Sequence, residues 1–473
     1  MAVDAGPRLV CNGINGATGG YWLEGVPATD VARIALGDRI DAEEQAALKE
    51  RDRAATESLL GGPMEGVNPR NLAEAGWGIV FAFQADPEVK KALEPLLVLR
   101  QSQAGDLYRE FIGADAVRPG ETSAQFLARH GIAPGAPANP RKVPYYLLLV
   151  GEPTSISYSF QYQLDVIYAV GRIAFDTLDE YAAYARAVAS AERRPPRPTT
   201  VSVFGTRNPG DPATALSADQ LVAPLAATVA SRFADIQVDT AIGEAATKAR
   251  LGTLLGGGAT PSLVFSASHG MAFPPTDNRQ LQGQGALLCQ DWPGPTAWEH
   301  RSIPESFYFG AADVPDDATL NGVIAFLFAC YGAGTPKYDD FARQAFGRPV
   351  AIAPDAFMGR LPRRLLGHPM GGALAVVGHV ERAWGYSFMW PNAGAQVEVF
   401  ESTITALLNG DPVGLALEYF NDRYAALASE ITSAQQEAGF GAVIDPSEIA
   451  ATWTGMSDAR NYIVLGDPAV RLS

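Results

Sequence analysis

Short apolar runs bounded by glycine, proline and polar residues recur along most of this chain, and they predict strands. Residues 78–83 and 145–150 each read as a buried strand, partly β-branched or aromatic, with turn residues at both ends. Residues 166–170 read as another. In 177–192, Leu178, Tyr181, Tyr184 and Val188 recur at helical spacing and predict an amphipathic helix. The segment RRPPRPT at 193–199 follows; a helix cannot continue through its prolines, and it marks a boundary.

Beyond that boundary the pattern is regular. Strands are predicted at 201–204, 236–238, 263–266, 323–328, 350–353 and 373–377, with helices at 218–233, 244–255, 397–408 and 413–431. Apolar strands alternating with helices predict an α/β fold: a mostly parallel sheet with helices on both faces. A chain of 473 residues exceeds one ordinary core, so two subdomains are expected, 1–195 and 196–473. The first opens with a glycine-rich stretch at 12–20 and a charged helical segment at 41–60; a loop is expected at 134–141. Residues 1–140 suggest no function by themselves.

Charge narrows the picture. The net charge is −16, which disfavours nonspecific binding to nucleic acid or anionic membranes, where basic surface supplies the affinity. The longest apolar run, VIAFLFACY at 323–331, is far shorter than the roughly 20 residues that span a bilayer. The N-terminus shows neither the basic start nor the apolar run of a secretory signal, so a cytoplasmic protein is expected. The 3 cysteines, Cys11, Cys289 and Cys330, are too few and too dispersed for a disulfide scaffold or a zinc knuckle. His368 and His379 lack a carboxylate pattern, so neither metal nor cofactor is expected. Arg360, Arg363 and Arg364 read as a solvated helix face.

Two reactive side chains follow predicted strands. PSLVFSASHG ends in His269 and Gly270, and GVIAFLFACYGAG carries Cys330 before Gly332 and Gly334. Parallel sheets bind ligands beyond the carboxyl ends of their strands, so one sheet can bring the two into a shared cleft. A histidine beside a thiol raises its thiolate fraction or protonates a leaving amine. The small neighbours leave the backbone N–H groups of Gly270 and Cys330 free to bind an oxyanion. Cys11 in LVCNG and Cys289 in GALLCQDW read as packing residues.

These motifs resemble the caspase–haemoglobinase group of cysteine peptidases, and within it the gingipain-type peptidases, with a second likeness to CHAT domains. YLLLVGEP at 146–153 and GRIAFDTLDEYAAYARAVASAE at 171–192 resemble the end of the gingipain N-terminal subdomain. EAATKARLGTLL at 244–255 is similar to CHAT domains. GGALAVVGHVERAW at 371–384 resembles the strand and loop of the gingipain specificity pocket, and NYIVLGDPAVRL at 461–472 the close of the catalytic domain. The likeness runs from about residue 145 to the C-terminus.

The resemblance implies a caspase-like fold and a cysteine endopeptidase acting on protein or peptide substrates. Cys330 would attack the peptide carbonyl to form a thioester, and His269 would serve as acid and base. Trp384 would wall the pocket for the residue before the scissile bond. Gingipains carry an acidic residue near the histidine, after the strand matching 201–204. Here GTRNPGDP places Arg207 at the expected position and leaves Asp211 as the only acid nearby, so Asp211 is expected, with Trp384, among the substrate-binding residues. Arginine specificity is not implied, because the matching pocket stretch reads ALSADQL. The altered loop motivates a rival reading, an inactive peptidase-like scaffold that binds or signals, and leaves room for a regulatory protein partner. A thiol acyl-transfer enzyme such as an amidase or transpeptidase is a third.

Overall fold

The structure is a computed structural model describing residues 8–36, 62–133, 135–194, 199–257, 260–298, 301–341 and 349–472. The charged segment expected at 41–60 lies outside the described residues, as do parts of the 134–141 loop and the 193–199 boundary.

A ten-stranded sheet organises the molecule. In chain order its strands are β1 (Trp77–Phe81), β2 (Tyr108–Phe111), β3 (Tyr146–Val150), β4 (Ala169–Ile173), β5 (Thr200–Gly205), β6 (Gln237–Ile242), β7 (Leu263–Ala267), β8 (Ile324–Phe328), β9 (Ala375–His379) and β10 (Tyr462–Gly466). They lie side by side in the order β2-β1-β3-β4-β10-β9-β8-β7-β5-β6. Every neighbouring pair is parallel except β9 with β10. Two parallel halves therefore meet at one antiparallel seam, and their carboxyl ends point to opposite edges of the sheet.

Burial explains which strands the pattern revealed. Strands β1, β3, β7, β8 and β10 are buried at every residue, and each reads as a continuous apolar run. The edge strand β6 is largely exposed or half-buried and mixes polar with apolar residues, so the sequence marked only 236–238. The run expected at 166–170 begins instead in the turn after the helix Tyr158–Asp165, and the strand starts at Ala169. There Asp165 accepts the Val170 N–H at 3.1 Å and ends the turn. Residues 350–353 do not join the main sheet. Their backbone pairs with the loop at 337–339: Ile352 N–H donates to Lys337 O at 2.9 Å and Asp339 N–H to Val350 O at 2.8 Å.

The helix Leu178–Ala191 opens with a capping box, Thr177 accepting from Glu180 N–H while the Glu180 carboxylate accepts from Thr177 N–H. The helix Glu418–Gly439 packs on Pro446–Asn461, which leads straight into β10. A continuous helical run from Pro212 to Arg232 follows β5. By length and composition it could cross a bilayer, but half of that apolar window is buried inside the protein.

A second, four-stranded sheet lies beyond the carboxyl ends of the second half. Its order is Tyr308–Phe309, Leu287–Leu288, Gly270–Ala272 and Gly13–Asn15. The N-terminal strand Gly13–Asn15 runs parallel to the strand that begins immediately after His269.

Candidate active site

In the second half of the sheet the chain order reverses between β5 and β7, because β6 lies outside β5 whereas β8 and β9 lie beyond β7. Such a switch point opens a crevice beyond the carboxyl ends of the two strands. Asp211 follows β5, His269 follows β7 and Cys330 follows β8, so all three side chains start from this crevice.

His269 and Asp211 are in direct contact. His269 Nε2 lies 2.5 Å from Asp211 Oδ2, and both side chains are fully buried although 58 residues separate them. Asp211 caps the helix that starts at Pro212, accepting the Ala213 N–H at 3.1 Å. Its carboxylate also accepts the Thr214 hydroxyl at 2.9 Å and the Tyr21 hydroxyl at 2.7 Å. Burial opposes the charge, yet His269 and the three further donors hold the Asp211 carboxyl below the usual carboxylate range. The Tyr21 phenol is pushed up by burial and by the Asp211 charge. Tyr21 and Trp292 stand edge-on to the imidazole, with ring centroids 5.9 and 6.4 Å away. His269 Nδ1 is buried and makes no hydrogen bond among the described residues.

Cys330 is fully buried, and burial, reinforced by the neighbouring Cys11 thiol, pushes its own thiol up. Its Sγ accepts the Ala383 N–H at 3.3 Å. The next residue, Tyr331, has φ +60°, a left-handed conformation unusual for a tyrosine, held by its N–H donating to Glu381 O at 2.8 Å. Gly270 is required here. A Cβ on it would fall 1.8 Å from Cys330 O.

The two backbone donors expected at an oxyanion site are both engaged by one acceptor. The carbonyl of Asn12 accepts the Gly270 N–H at 2.9 Å and the Cys330 N–H at 3.2 Å. Residues 1–140 suggested no function by themselves in the sequence, but part of 8–36 lies in this crevice. Cys11 forms an isolated antiparallel bridge with Trp384. Trp384 itself is buried, its ring packed on Phe341 and Trp453 and its N–H donating to Asp458 Oδ1 at 3.1 Å.

Sequence reasoning placed Asp211 on the substrate side and Arg207 where an acid should stand. In the structure Asp211 is spent on His269, Tyr21, Thr214 and Ala213, whereas Arg207 pairs at the surface with Asp219. The signal was present in the sequence, since Asp before Pro after a strand is a helix N-cap. Nothing local in 8–27 announced that Asn12 and Tyr21 would reach this crevice. Of the remaining candidates, Cys289 is buried with its thiol pushed up by burial, and His379 lies 3.1 Å from Asp458. His368 lies 2.9 Å from Pro315 O. Arg360 and Arg363 pair with Asp176, and Arg363 also with Glu152 at 2.8 Å, so this face is tied down by ion pairs rather than merely solvated. Among the described residues no cluster of three or more His, Cys, Asp or Glu side chains suits a metal ion.

No protein-family model matches the chain, and no curated protein matches it. Solved structures do. The chain is similar to the complex of the Porphyromonas gingivalis RgpB pro- and mature domains at 12% identity, over 84% of this chain and 80% of that one, with a TM-score of 0.45. It is similar to the Arg-specific cysteine proteinase gingipain R at 13% identity, over 87% and 80% of the two chains, TM-score 0.44. The Saccharomyces cerevisiae separase–securin complex matches at 10% identity over 69% of this chain and 16% of that one, TM-score 0.31.

Proposed function

We propose that the chain is a cysteine endopeptidase in which Cys330 is the nucleophile, His269 the acid and base, and Asp211 the residue that positions the imidazole. The observation that carries this reading is the buried contact of 2.5 Å between His269 Nε2 and Asp211 at the end of β7, next to the strand β8 that leads to Cys330, with the backbone N–H groups of Gly270 and Cys330 aimed at one carbonyl oxygen. With the Nε2 proton shared with Asp211, Nδ1 keeps the basic lone pair, and this nitrogen is left without a partner in the site. It can take the thiol proton and return it to a leaving amine. The Gly270 and Cys330 N–H groups converge on a single carbonyl oxygen, the arrangement that stabilises the charge developing on a tetrahedral intermediate. The inactive-scaffold reading rested on a missing acid beside the histidine, and Asp211 supplies one.

A peptide library incubated with the wild-type chain and with Cys330→Ala tests the assignment. Hydrolysis by the wild type alone is expected, and an electrophilic peptide should label Cys330 in preference to Cys11 and Cys289. Undiminished cleavage by the alanine variant would overturn it.

A further inference from the structure

The segment lying in the crevice is held as a peptide would be. Asn12 N–H donates to Ala383 O at 2.9 Å and Gly385 N–H donates to Val10 O at 3.1 Å, so residues 10–12 add an antiparallel strand to 383–385. At its end the Asn12 carbonyl takes the paired donors, Gly270 N–H and Cys330 N–H. The thiol lies against the next residue: a Cβ on Gly13 would come within 3.0 Å of Cys330 Sγ. Beyond that point Gly13–Asn15 departs along Gly270–Ala272.

We propose that the chain carries its own substrate, with the Asn12–Gly13 peptide bond presented to Cys330 for cleavage, and that the pocket for the residue before the scissile bond takes asparagine. The proposal rests on the peptidase reading above and adds to it the bond and the side chain. Asn12 is fully buried and its Nδ2 donates to Ser217 Oγ at 3.4 Å. The Ser217 hydroxyl donates back to the helix carbonyls of Ala213 and Thr214, both at 3.2 Å, and accepts the Asn12 amide on its other side. An amide NH2 satisfies a lone pair. An aspartate carboxylate offers no donor to that oxygen and could be met only by turning the hydroxyl away from the helix carbonyls, while losing its own hydration. Asn12 Oδ1 is buried with no partner among the described residues and faces Gly385, where a Cβ would fall 3.2 Å from it.

The chemistry balances. Cys330 Sγ adds to the Asn12 carbonyl carbon while its proton passes to His269. The tetrahedral intermediate collapses, the C–N bond to Gly13 breaks, and the proton leaves on the Gly13 amine. Water then hydrolyses the Asn12 thioester to a carboxylate and frees the thiol. Until that bond is cut, residues 10–12 occupy the groove that any other peptide must enter.

The test uses the full chain in reducing buffer, followed by intact mass and N-terminal sequencing. A new N-terminus at Gly13 is expected in the wild type and not in Cys330→Ala. Asn12→Asp and Asn12→Ala should slow that cleavage by about tenfold or more, the worth of one hydrogen bond plus a misplaced charge. Because either variant could perturb folding, fluorogenic peptides ending in Val-Ser-Asn, Val-Ser-Asp and Val-Ser-Arg are compared on the processed wild-type chain, with Asn expected to be preferred at least about tenfold. If Cys330 hydrolyses other peptides while the Asn12–Gly13 bond stays whole and asparagine is not preferred, this inference is overturned and the peptidase reading stands. If no peptide is cut and Cys330 is not labelled, both fall.

Discussion

Each half of the sheet buries one aspartate beyond a strand, and the two have different partners. After β10, Asp467 accepts Arg100 Nε at 2.6 Å and the Trp77 indole N–H at 2.9 Å, with its own carboxylate and Arg100 both essentially unexposed. After β5, Asp211 is equally buried but faces His269. An arginine keeps its proton at any pH a protein survives, so the Asp467 pair can only hold the fold together. Against an imidazole, the same kind of carboxylate would, in the mechanism proposed above, fix the tautomer and orientation of the ring. Burial alone does not distinguish a structural acid from a mechanistic one; the partner does.

Exchanging each acid for its amide sharpens this contrast. Asp211→Asn should lower kcat by about 10²–10⁴-fold and displace the pH profile with little change in KM, because the histidine loses its orienting acceptor. A profile of unchanged shape would reduce Asp211 to a helix cap. Asp467→Asn should instead cost about 3–5 kcal/mol of stability by leaving Arg100 incompletely paired in the interior, measurable by denaturant unfolding, with kcat per folded molecule unaltered. Equal effects of the two changes on kcat would show that Asp211 acts only as Asp467 does.

A smaller effect concerns Glu381, whose backbone carbonyl receives the strained Tyr331. Burial, opposed by Arg382, pushes its carboxyl up to about 8. The unfolded group titrates near about 4.3, so the folded state keeps a proton that the unfolded chain has lost over that interval. Its stabilising contribution is complete below about pH 4.3 and is lost as pH rises through about 8. The Tm of the wild type minus that of Glu381→Gln should therefore fall steadily between pH 5 and 9; a constant difference would show that the carboxyl does not titrate there. Smallest of all is Arg207→Ala. Its exposed pairing with Asp219 predicts no measurable change in Tm or turnover, which separates position in a motif from position in the site.

Much of the fold was legible. The buried strands of both halves stood out because parallel strands covered on both faces are apolar at every position, and the helix Leu178–Ala191 announced itself by apolar residues at helical spacing. The strand β2 did not, since only Phe111 among its residues is buried. The strand β4 was read too early, at 166–170, because its second half carries Arg172, fully buried and satisfied by Gln161 and the carbonyls of Gly151 and Ser157. A buried arginine looks polar in a sequence; only its partners reveal that it belongs inside.

What the sequence determined by itself was local. It marked the apolar runs that become strands, the reactive side chains that follow two of them, and the glycine beside His269 that the neighbouring Cys330 backbone demands. Tertiary structure alone decided that Asp211 rather than Arg207 meets the histidine. It also decided that β10 returns to close the seam between the halves, and that Asn12 crosses the sheet edge to occupy both backbone donors. The physical reason is one of range. Strand and helix signals are written in spacings of two to four residues, whereas these three encounters depend on where separate chain segments are carried by the order of strands in the sheet.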